Sequence, residues 1–332
     1  MVCAGINPPA HAQLEAYLQR NRGISVAVYL QPLIDIKDVG PAYIGPRLSE
    51  GVDIWGVRRA PISYGTGEYD EIVHYPLAGV ENVDELDDYD WPSPDWYDYS
   101  SLPARIRAMQ TEREYCLIVG TGNIFETAWY MRGFERFMLD MLLNPDLVYG
   151  IMSRVCEFYL TYFVRVLRAA HGKIDLVFTA DDLAGQRGPL MSHRLWNEFI
   201  KPYHELMNHA IHHTHGVKVI YHSDGAVQEF VPGLIDMDID ILQALQFDAD
   251  GMDPSLLKQR YGKNLCFEGG VSVQKTLPFG MVSDVQEEVR RLINILGQGG
   301  GYILGPAHAI QAGTPPENIV AMFDTAARYY PF

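Results

Sequence analysis

An apolar run that ends in an imidazole and a carboxylate is the strongest chemical signal in this sequence. Residues 217–221 are typical of a buried strand, and the tetrapeptide HSDG (222–225) follows directly. Residues two apart on a strand face the same side, so His222 and Asp224 can converge on one ion or one substrate group. Both side chains are ordinary zinc ligands. A purely structural His–Asp hydrogen bond is the alternative.

Two further apolar runs end in carboxylates. Asp181 and Asp182 follow the run IDLVFTA, and Glu268 precedes two glycines in NLCFEGG. Neighbouring side chains at a strand end point in different directions, so one aspartate is expected to enter the site and the other to cap the next loop. We predict catalytic roles for Asp181 or Asp182 and for Glu268, which could also ligate a metal. The paired glycines would allow a close approach of the backbone to a ligand.

The last apolar run, GYILGPA, leads to His308, which would supply a third ligand from a distant strand. Three protein ligands leave one position of a catalytic zinc open for substrate. Substrate contacts are expected from Arg187 as an anion-binding side chain, from Glu126 after the loop GTGN, and from Tyr221 beside His222. The loop GTGN lacks the third glycine of a dinucleotide-binding motif.

Histidines also cluster near the end of a helical stretch, where they complement the helix dipole and would be remote from the strand tips. We therefore expect no metal role for this cluster, which consists of His209, His212, His213 and His215.

Strand-like runs alternate with helical stretches from about residue 114, which indicates parallel βαβ units and an α/β fold of the (β/α)8 TIM-barrel type. The six clear strand candidates are Tyr115–Val119, Ile174–Thr179, Val217–Tyr221, Ile239–Ala244, Leu265–Phe267 and Tyr302–Leu304. Two more strands would come from Ile24–Leu30 and Val52–Val57. We treat residues 1–332 as one domain, with an irregular, short N-terminal portion (1–110) and regular repeats over 111–332.

The composition narrows the class of protein. The chain has 332 residues, 48% hydrophobic content and a formal net charge of −16. The acidic balance argues against nucleic acid and membrane surfaces as partners. Four scattered cysteines and the absence of a signal-peptide pattern predict a cytoplasmic protein with reduced thiols. The sequence leaves a monomer and a homodimer open.

Several segments carry a resemblance to a known superfamily. They are GTGNIFETAWYMRGFERF, FTADDLAGQRGPLMSHRLWNEFIKPYH, KVIYHSDGAVQEFVPGLIDMDIDILQALQ, FEGGVSVQKTLPFG and GGGYILGPAHAIQAGTPPENIVAMF. In this order they resemble the uroporphyrinogen decarboxylase superfamily over most of residues 115–325. The resemblance implies a (β/α)8 barrel with its site at the carboxyl ends of the strands.

The superfamily contains two main chemistries. Its decarboxylases are metal-free and use an arginine-rich N-terminal stretch, a pattern that Arg47, Arg58 and Arg59 do not reproduce. Its corrinoid-dependent methyltransferases hold zinc with a His-x-Cys pair and a later cysteine. His222 matches that histidine, Asp224 replaces the first cysteine, and His308 falls near the later one. Harder ligands favour an oxygen substrate over a thiol.

The resemblance therefore implies a zinc-dependent methyltransferase of the O-demethylase type. It would move a methyl group from a small methoxylated substrate to a corrinoid (cobalamin) carried by a partner protein. Zinc would be held by His222, by His308 and by either Asp224 or Glu268. A metal-free decarboxylase acting on a tetrapyrrole, a non-catalytic corrinoid- or tetrapyrrole-binding barrel, and metal-assisted hydrolysis stay open as alternatives.

Overall fold

The computed structural model describes residues 5–63, 68–111 and 113–329. Cys3, one of the four cysteines, lies outside these residues. The other cysteines, Cys116, Cys156 and Cys266, are free thiols. No helix within the described ranges is both long and apolar enough to cross a bilayer.

The strands of the described ranges are short. They are β1 (Ile36–Asp38), β2 (Ala42–Tyr43), β3 (Arg58–Ser63), β4 (Glu68–His74), β5 (Tyr97–Asp98), β6 (Cys116–Asn123), β7 (Leu176–Ala180), β8 (Ala184–Gly185), β9 (Gly188–Pro189), β10 (Lys218–His222), β11 (Ile241–Ala244), β12 (Cys266–Val271) and β13 (Tyr302–Pro306).

The helices lie mainly between the later strands. They are α1 (Pro8–Arg22), α2 (Val26–Leu30), α3 (Leu102–Met109), α4 (Ile124–Arg132), α5 (Phe134–Leu143), α6 (Pro145–Ala170), α7 (His193–Phe199), α8 (Lys201–His213), α9 (Val231–Asp236), α10 (Pro254–Tyr261), α11 (Thr276–Phe279), α12 (Val282–Leu296) and α13 (Pro316–Tyr329). Short 3-10 helices cover Val83–Asp88, Pro94–Trp96, Tyr99–Ser101 and Val227–Phe230.

Within the described ranges, one parallel sheet of seven strands organises the molecule, in the order β1, β6, β7, β10, β11, β12, β13. Its register places His222 beside Ala180 on one neighbour and beside Gln243 on the other, and Gln243 beside Glu268. Helical crossovers return the chain each time, so all carboxyl ends of the strands share one edge. The fold is an α/β barrel of the TIM type, as the sequence predicts.

The N-terminal segment adds a contact at the far end of this sheet. Ile6 forms a parallel bridge with Ile310, just beyond β13. The Asn7 amide donates to the Ile310 carbonyl at 2.8 Å, and the Ile310 amide donates to the Gly5 carbonyl at 3.0 Å. The described residues thus contain seven ladder strands and this extended segment rather than eight regular strands.

The six later strand predictions are confirmed, and the two early ones are wrong. The run Ile24–Leu30 mostly forms α2, because the Ser25 side chain accepts a hydrogen bond from the Val28 amide and starts a helix. The run Val52–Val57 is a turn rather than a strand. The carboxylate of Asp53 accepts from two amides of that turn, at 2.9 and 3.1 Å.

Alternation along each strand separates two layers of the core. On β10, Ile220 and His222 face the inside of the barrel, whereas Val219 and Tyr221 pack against the helices. The inner layer is apolar and is completed by side chains of neighbouring strands, namely Leu176, Ile241, Ile36, Cys116, Ile118, Phe178, Cys266 and Ile303. This plug closes the barrel below His222, so polar chemistry is confined to the carboxyl edge.

A buried arginine ties the irregular N-terminal part to the barrel. Arg132, at the end of α4, is 1% exposed and pairs with Asp140 at 2.7 Å. Its guanidinium also donates to the carbonyls of Leu77 and Val80, each at 2.6 Å. The charge is therefore neutralised where it is removed from water, and Nη2 is the one guanidinium nitrogen without a hydrogen-bond partner among the described residues.

The helical stretch from Ser192 to Gly216, which the sequence predicts as continuous, is broken into α7 and α8 at Ile200. Pro202 explains the break, because its ring has no N–H and clashes with the carbonyl four residues earlier.

Candidate active site

Loops after β7, β10 and β13 bring four polar side chains to one edge of the barrel. His222 Nε2 lies 3.7 Å from an oxygen of Asp182 and 3.7 Å from an oxygen of Asp224. His308 Nε2 lies 3.9 Å from the other oxygen of Asp224. Donor atoms of Asp182, His222 and Asp224 all lie within 4.8 Å of one another, a spacing that one metal ion could bridge.

The orientation of the His222 ring suits a ligand. Its Nδ1 contacts the side-chain oxygen of Gln243, so this nitrogen carries the proton and Nε2 faces the two aspartates. Burial lowers the pKa of His222, but the carboxylates of Asp224 and Asp182 outweigh it and raise the pKa. Hydrogen bonding of the distal nitrogen is how proteins orient metal-binding histidines.

Asp224 carries a buried oxygen that nothing satisfies. Its Oδ1 is shielded from solvent and has no hydrogen-bond partner in the described part of the chain. Burial raises the pKa of Asp224, opposed by His222 and reinforced by Asp182. The Asp224 amide in turn donates to Asp182 Oδ1 at 2.8 Å and fixes the second carboxylate. An unsatisfied buried carboxylate oxygen facing an imidazole and a second carboxylate fits a bound cation.

A cavity of about 320 Å³ opens beneath this cluster inside the barrel. Glu268, His222, His308 and Gln243 line it above the apolar plug. Glu268 is 4% exposed, and burial raises the pKa of its carboxyl to about 7. A group with this pKa can hold or release a proton near neutral pH.

The glycine after Glu268 serves the sheet rather than a ligand. Gly269 has φ +100°, and a Cβ there would lie 2.4 Å from the Ala244 carbonyl oxygen of β11. The close backbone approach expected from the paired glycines therefore occurs, but its partner is the neighbouring strand.

Asp181 and Asp182 diverge, as their adjacency predicts. Asp181 has no exposed surface and accepts hydrogen bonds from the amides of Phe125 and Glu126, at 2.9 and 2.8 Å, at the start of α4. It also contacts His204 Nε2. The catalytic role predicted for Asp181 is not supported by this position, because its carboxylate caps α4 rather than the loop that follows β7. Asp182 is the aspartate that lies beside His222 and Asp224.

Tyr221 does not lie in the cavity either. It has no exposed surface, its ring packs edge-on against His204, and its hydroxyl donates to the Asp181 carbonyl at 3.4 Å. The substrate contact expected of Tyr221 is not supported by this position, because strand alternation turns the side chain opposite to His222.

Glu126 and Arg187 flank the cluster at different depths. Glu126 is 7% exposed and accepts hydrogen bonds from Asn123 and Tyr130, at 2.7 and 2.8 Å. Burial, followed by the nearby charge of Asp182, raises the pKa of Glu126 to about 7. Arg187 is exposed between β8 and β9, in the loop that follows Asp182.

Two residues of the site escaped the sequence analysis. Gln243, which holds His222, stands at the end of β11 in the same strand-then-polar pattern and could have been found by it. Asp38 lines the cavity from the end of β1, and burial raises the pKa of its carboxyl. That strand is three residues long, which leaves no periodic pattern to read.

The histidine cluster of α8 lies at the opposite end of the barrel, as expected. His212 bridges Asp238 and Asp240, which precede β11, at 2.7 and 2.8 Å. Its two ring nitrogens are therefore both engaged by carboxylates.

The fold and the polar cluster together define a TIM-type barrel with a candidate active site at the carboxyl ends of its strands. Residues 60–329 match the model of the uroporphyrinogen decarboxylase (URO-D) family. The chain belongs to this family, which confirms the superfamily resemblance found in the sequence.

Relatives and a solved structure agree with this assignment. The chain is 21% identical over 328 residues to the uroporphyrinogen decarboxylase of Actinobacillus pleuropneumoniae serotype 5b (strain L20), covering 94% of this chain and 85% of that protein. It is 23% identical over 331 residues to that of Mannheimia succiniciproducens, with the same coverage. The solved structure of a methyltransferase from Methanosarcina mazei superposes with a TM-score of 0.67 at 17% identity, covering 99% of this chain and 94% of that one. At this identity the likeness shows a shared fold.

Proposed function

We propose that this protein is a zinc-dependent methyltransferase that moves a methyl group from a small methoxylated compound to a corrinoid carried by a partner protein. The observation that carries the proposal is the convergence of Asp182, His222 and Asp224, with His308 beside them, at the mouth of the barrel. The M. mazei methyltransferase, which shares the fold, makes this reaction class a natural candidate.

The donor set fits a divalent cation on physical grounds. Two aspartates share one small space, and Asp224 keeps a buried oxygen without a partner. Such an arrangement is costly unless a positive charge neutralises it. Nitrogen and oxygen donors without thiolate suit zinc that binds an oxygen substrate. Zinc held there would act as a Lewis acid on the ether oxygen.

The protein's own groups would handle the proton and the orientation. Transfer breaks the bond between methyl carbon and oxygen, and the oxygen that leaves as an anion needs a proton. Glu268 lines the cavity and can hold that proton on its carboxyl at neutral pH. Gln243 keeps His222 in one tautomer. Arg187, which is exposed in the loop after Asp182, would meet an anionic group of substrate or partner. The corrinoid of the partner would accept the methyl group at the open mouth.

Decarboxylation of a tetrapyrrole is the second candidate, favoured by the names of the curated relatives. A porphyrinogen carries several carboxylates, which must be met by cations. No arginine or lysine is among the described residues that line the cavity beneath His222, whereas Asp38 and Glu268 are. Carboxyl groups instead of cationic side chains at the cavity wall disfavour a substrate that carries several carboxylates.

The test combines metal content with turnover. Protein purified without added metal should contain about one zinc per chain. His222→Ala and His308→Ala should lose it, and His222→Ala should abolish methyl transfer from methoxylated compounds to cob(I)alamin. His212→Ala is the matched control, because that imidazole lies at the other end of the barrel; it should keep both zinc and turnover.

Three results would contradict the proposal. The first is wild-type zinc below about half an equivalent, and the second is zinc unchanged in both site variants. The third is decarboxylation of uroporphyrinogen by metal-free protein, which would establish the second candidate instead.

A further inference from the structure

A cavity of about 1020 Å³ lies at the end of the barrel opposite to the candidate active site. It opens beside the amino ends of β6 and β7, where Cys116 and Asp175 line it. For comparison, the cavity beneath His222 measures about 320 Å³. The larger volume lies at the upper end of the range of small-molecule sites. The proposed reaction does not use this space, which we call the amino-end cavity.

The floor of the amino-end cavity is apolar. Ile106, Tyr115 and Ala170 line it and are 4%, 2% and 3% exposed. Cys116 adds a thiol, and burial, followed by the charge of Asp175, raises the pKa of this thiol to about 11. The thiol therefore stays neutral at physiological pH and behaves as a small apolar group. An apolar group of a ligand would be removed from water on this floor.

Hydrogen bonds hold the walls of the amino-end cavity in place. The Gln110 side chain, just after α3, donates to the Tyr115 carbonyl at 2.9 Å and accepts from the Tyr115 amide at 2.7 Å. The Asp175 carboxylate accepts from the Leu117 amide at 2.7 Å. His171 ends α6 with φ 51°, in the left-handed region. Because protein groups already make these contacts, a ligand would not have to order the walls.

Charged side chains of both signs surround the apolar floor. Arg107 on α3 and Lys173 after α6 are the cations, and both are exposed. Glu114 and Asp175 are the carboxylates. An anion would be attracted by the first pair and repelled by the second, and a cation would meet the reverse. A ligand that carries one charge of each sign can satisfy both pairs.

Helix dipoles account for only half of these charges. Arg107 lies in the last turn of α3, and Lys173 follows the end of α6, where cations complement the helix dipole. Carboxylates are not favoured beside the carboxyl ends of helices. The dipoles therefore do not explain why Glu114 and Asp175 line the same space. An ammonium group of a ligand would give these carboxylates a partner.

We propose that the amino-end cavity binds a zwitterion with an apolar body, either a free α-amino acid or a short peptide. Its carboxylate would pair with Arg107 and Lys173, and its ammonium group would pair with Glu114 and Asp175. Its apolar body would cover the floor. The inference goes beyond the proposed function and does not rest on it, because none of the proposed zinc ligands is among the described residues that line this cavity.

The test is calorimetric titration of chelator-treated protein with three compounds of similar shape. They are L-phenylalanine, 3-phenylpropanoate, which lacks the ammonium group, and 2-phenylethylamine, which lacks the carboxylate. L-Phenylalanine should bind with a Kd below about 1 mM and at least about tenfold more tightly than either analogue. A dipeptide of two phenylalanines is titrated in parallel, and the tighter of the two zwitterions shows whether a free amino acid or a peptide is the better ligand.

Variants locate the binding site through the charges that they remove. A double variant, Arg107→Gln with Lys173→Gln, keeps only the carboxylates, so it should bind 2-phenylethylamine more tightly than L-phenylalanine. Glu114→Gln should reduce the preference for L-phenylalanine over 3-phenylpropanoate. Arg168→Gln is the matched control, because Arg168 is exposed in the last turn of α6 and lies outside the described lining; it should bind like wild type. Thermal unfolding verifies that each variant is folded.

Three results would overturn the inference: a Kd above about 1 mM for both zwitterions, a preference of less than about tenfold over either analogue, or wild-type selectivity in the folded double variant. Loss of L-phenylalanine binding in His222→Ala would also overturn it, because the ligand would then lie in the candidate active site. Failure of methyl transfer, in contrast, would refute the proposed function and leave binding in the amino-end cavity unaffected.

Discussion

The imidazoles of His222 and His308 face each other at the barrel mouth with ring centroids 6.2 Å apart, although β11, β12 and their helices separate them in the chain. Asp224 stands between them, 3.7 Å from one Nε2 and 3.9 Å from the other. Gln243 orients the His222 ring, but it does not explain why two imidazoles and a carboxylate converge here. A shared cation would explain it.

Substitutions of the two adjacent aspartates should have different effects, on zinc binding for Asp182 and on stability for Asp181. Asp182→Asn should weaken zinc binding by at least about tenfold, because it removes a carboxylate from the tight cluster, and should leave the fold intact. Equilibrium dialysis with zinc measures the affinity. Wild-type affinity in this variant would exclude Asp182 as a ligand.

Asp181→Asn is the complementary change. It weakens the cap on α4 and the buried contact with His204, so we expect a loss of about 3 kcal/mol in the free energy of unfolding. Urea denaturation of zinc-free protein measures it. A fully stable Asp181→Asn variant that fails to bind zinc would reverse the assignment of the two carboxylates.

Glu268 should make stability depend on pH. Burial raises the pKa of its carboxyl to about 7, so its contribution to stability is fully present below a pH of about 4.5 and is lost as the pH rises through 7. Chelator-treated Glu268→Gln should therefore be more stable than wild type at pH 9, by up to about 3 kcal/mol, with the difference gone near pH 4.5.

Urea unfolding across this pH range is the measurement. Exposed Glu287, in the middle of α12, supplies a control for the substitution itself, because Glu287→Gln should change the free energy of unfolding by less than about 0.5 kcal/mol. A pH-independent difference between wild type and Glu268→Gln would mean that the buried carboxyl does not titrate in this range.

Substitution of His212 should lower stability without changing zinc binding, because His212 lies at the end of the barrel opposite to the candidate active site. Its hydrogen bond to Asp240, reinforced by Asp238, raises the pKa above the ordinary value. The stabilisation is complete below about pH 6.5 and disappears as the pH rises through the folded-state pKa. The free energy of unfolding of His212→Ala should be about 1 kcal/mol lower than that of wild type at pH 6, with a smaller difference at pH 9. Equal losses at both values would show that the charge is not what matters.

Arg132 should be essential to the fold although it is remote from the zinc ligands. Arg132→Met leaves the buried Asp140 carboxylate without this ion pair and removes the hydrogen bonds to the carbonyls of Leu77 and Val80. We therefore expect the free energy of unfolding to fall by about 3–5 kcal/mol. Arg136→Met is the control, because that exposed arginine lies 3.8 Å from the same aspartate and should cost less than about 1 kcal/mol. Limited proteolysis before residue 80 should increase only in Arg132→Met.

The later two-thirds of the barrel could be predicted because its strands are buried on both faces and end in polar residues. The positions of His222, Asp224 and Asp182 at or just after strand ends could be predicted this way, since a strand end is recognisable without its neighbours. The early part of the barrel could not be predicted in this way. Strand β1 is too short to show a periodic pattern, and the Asp53 carboxylate stabilises a turn within a run that is otherwise mostly apolar.

The roles of individual side chains were harder to foresee than their positions. Asp181 and Tyr221 carry chemically capable groups, yet burial commits both to the core. Which of two adjacent carboxylates faces the mouth depends on the start of α4, more than fifty residues earlier in the chain.

The cap that Asp181 places on α4 has a consequence for ligand binding. The Asp181 carboxylate is hydrogen-bonded to the start of α4, so the backbone that carries the next residue, Asp182, is also held in place. The Asp224 amide restrains an oxygen of Asp182. The loss of rotational freedom at Asp182 is thus completed when the chain folds. An arriving ion would meet a preorganised acid and would not have to order it.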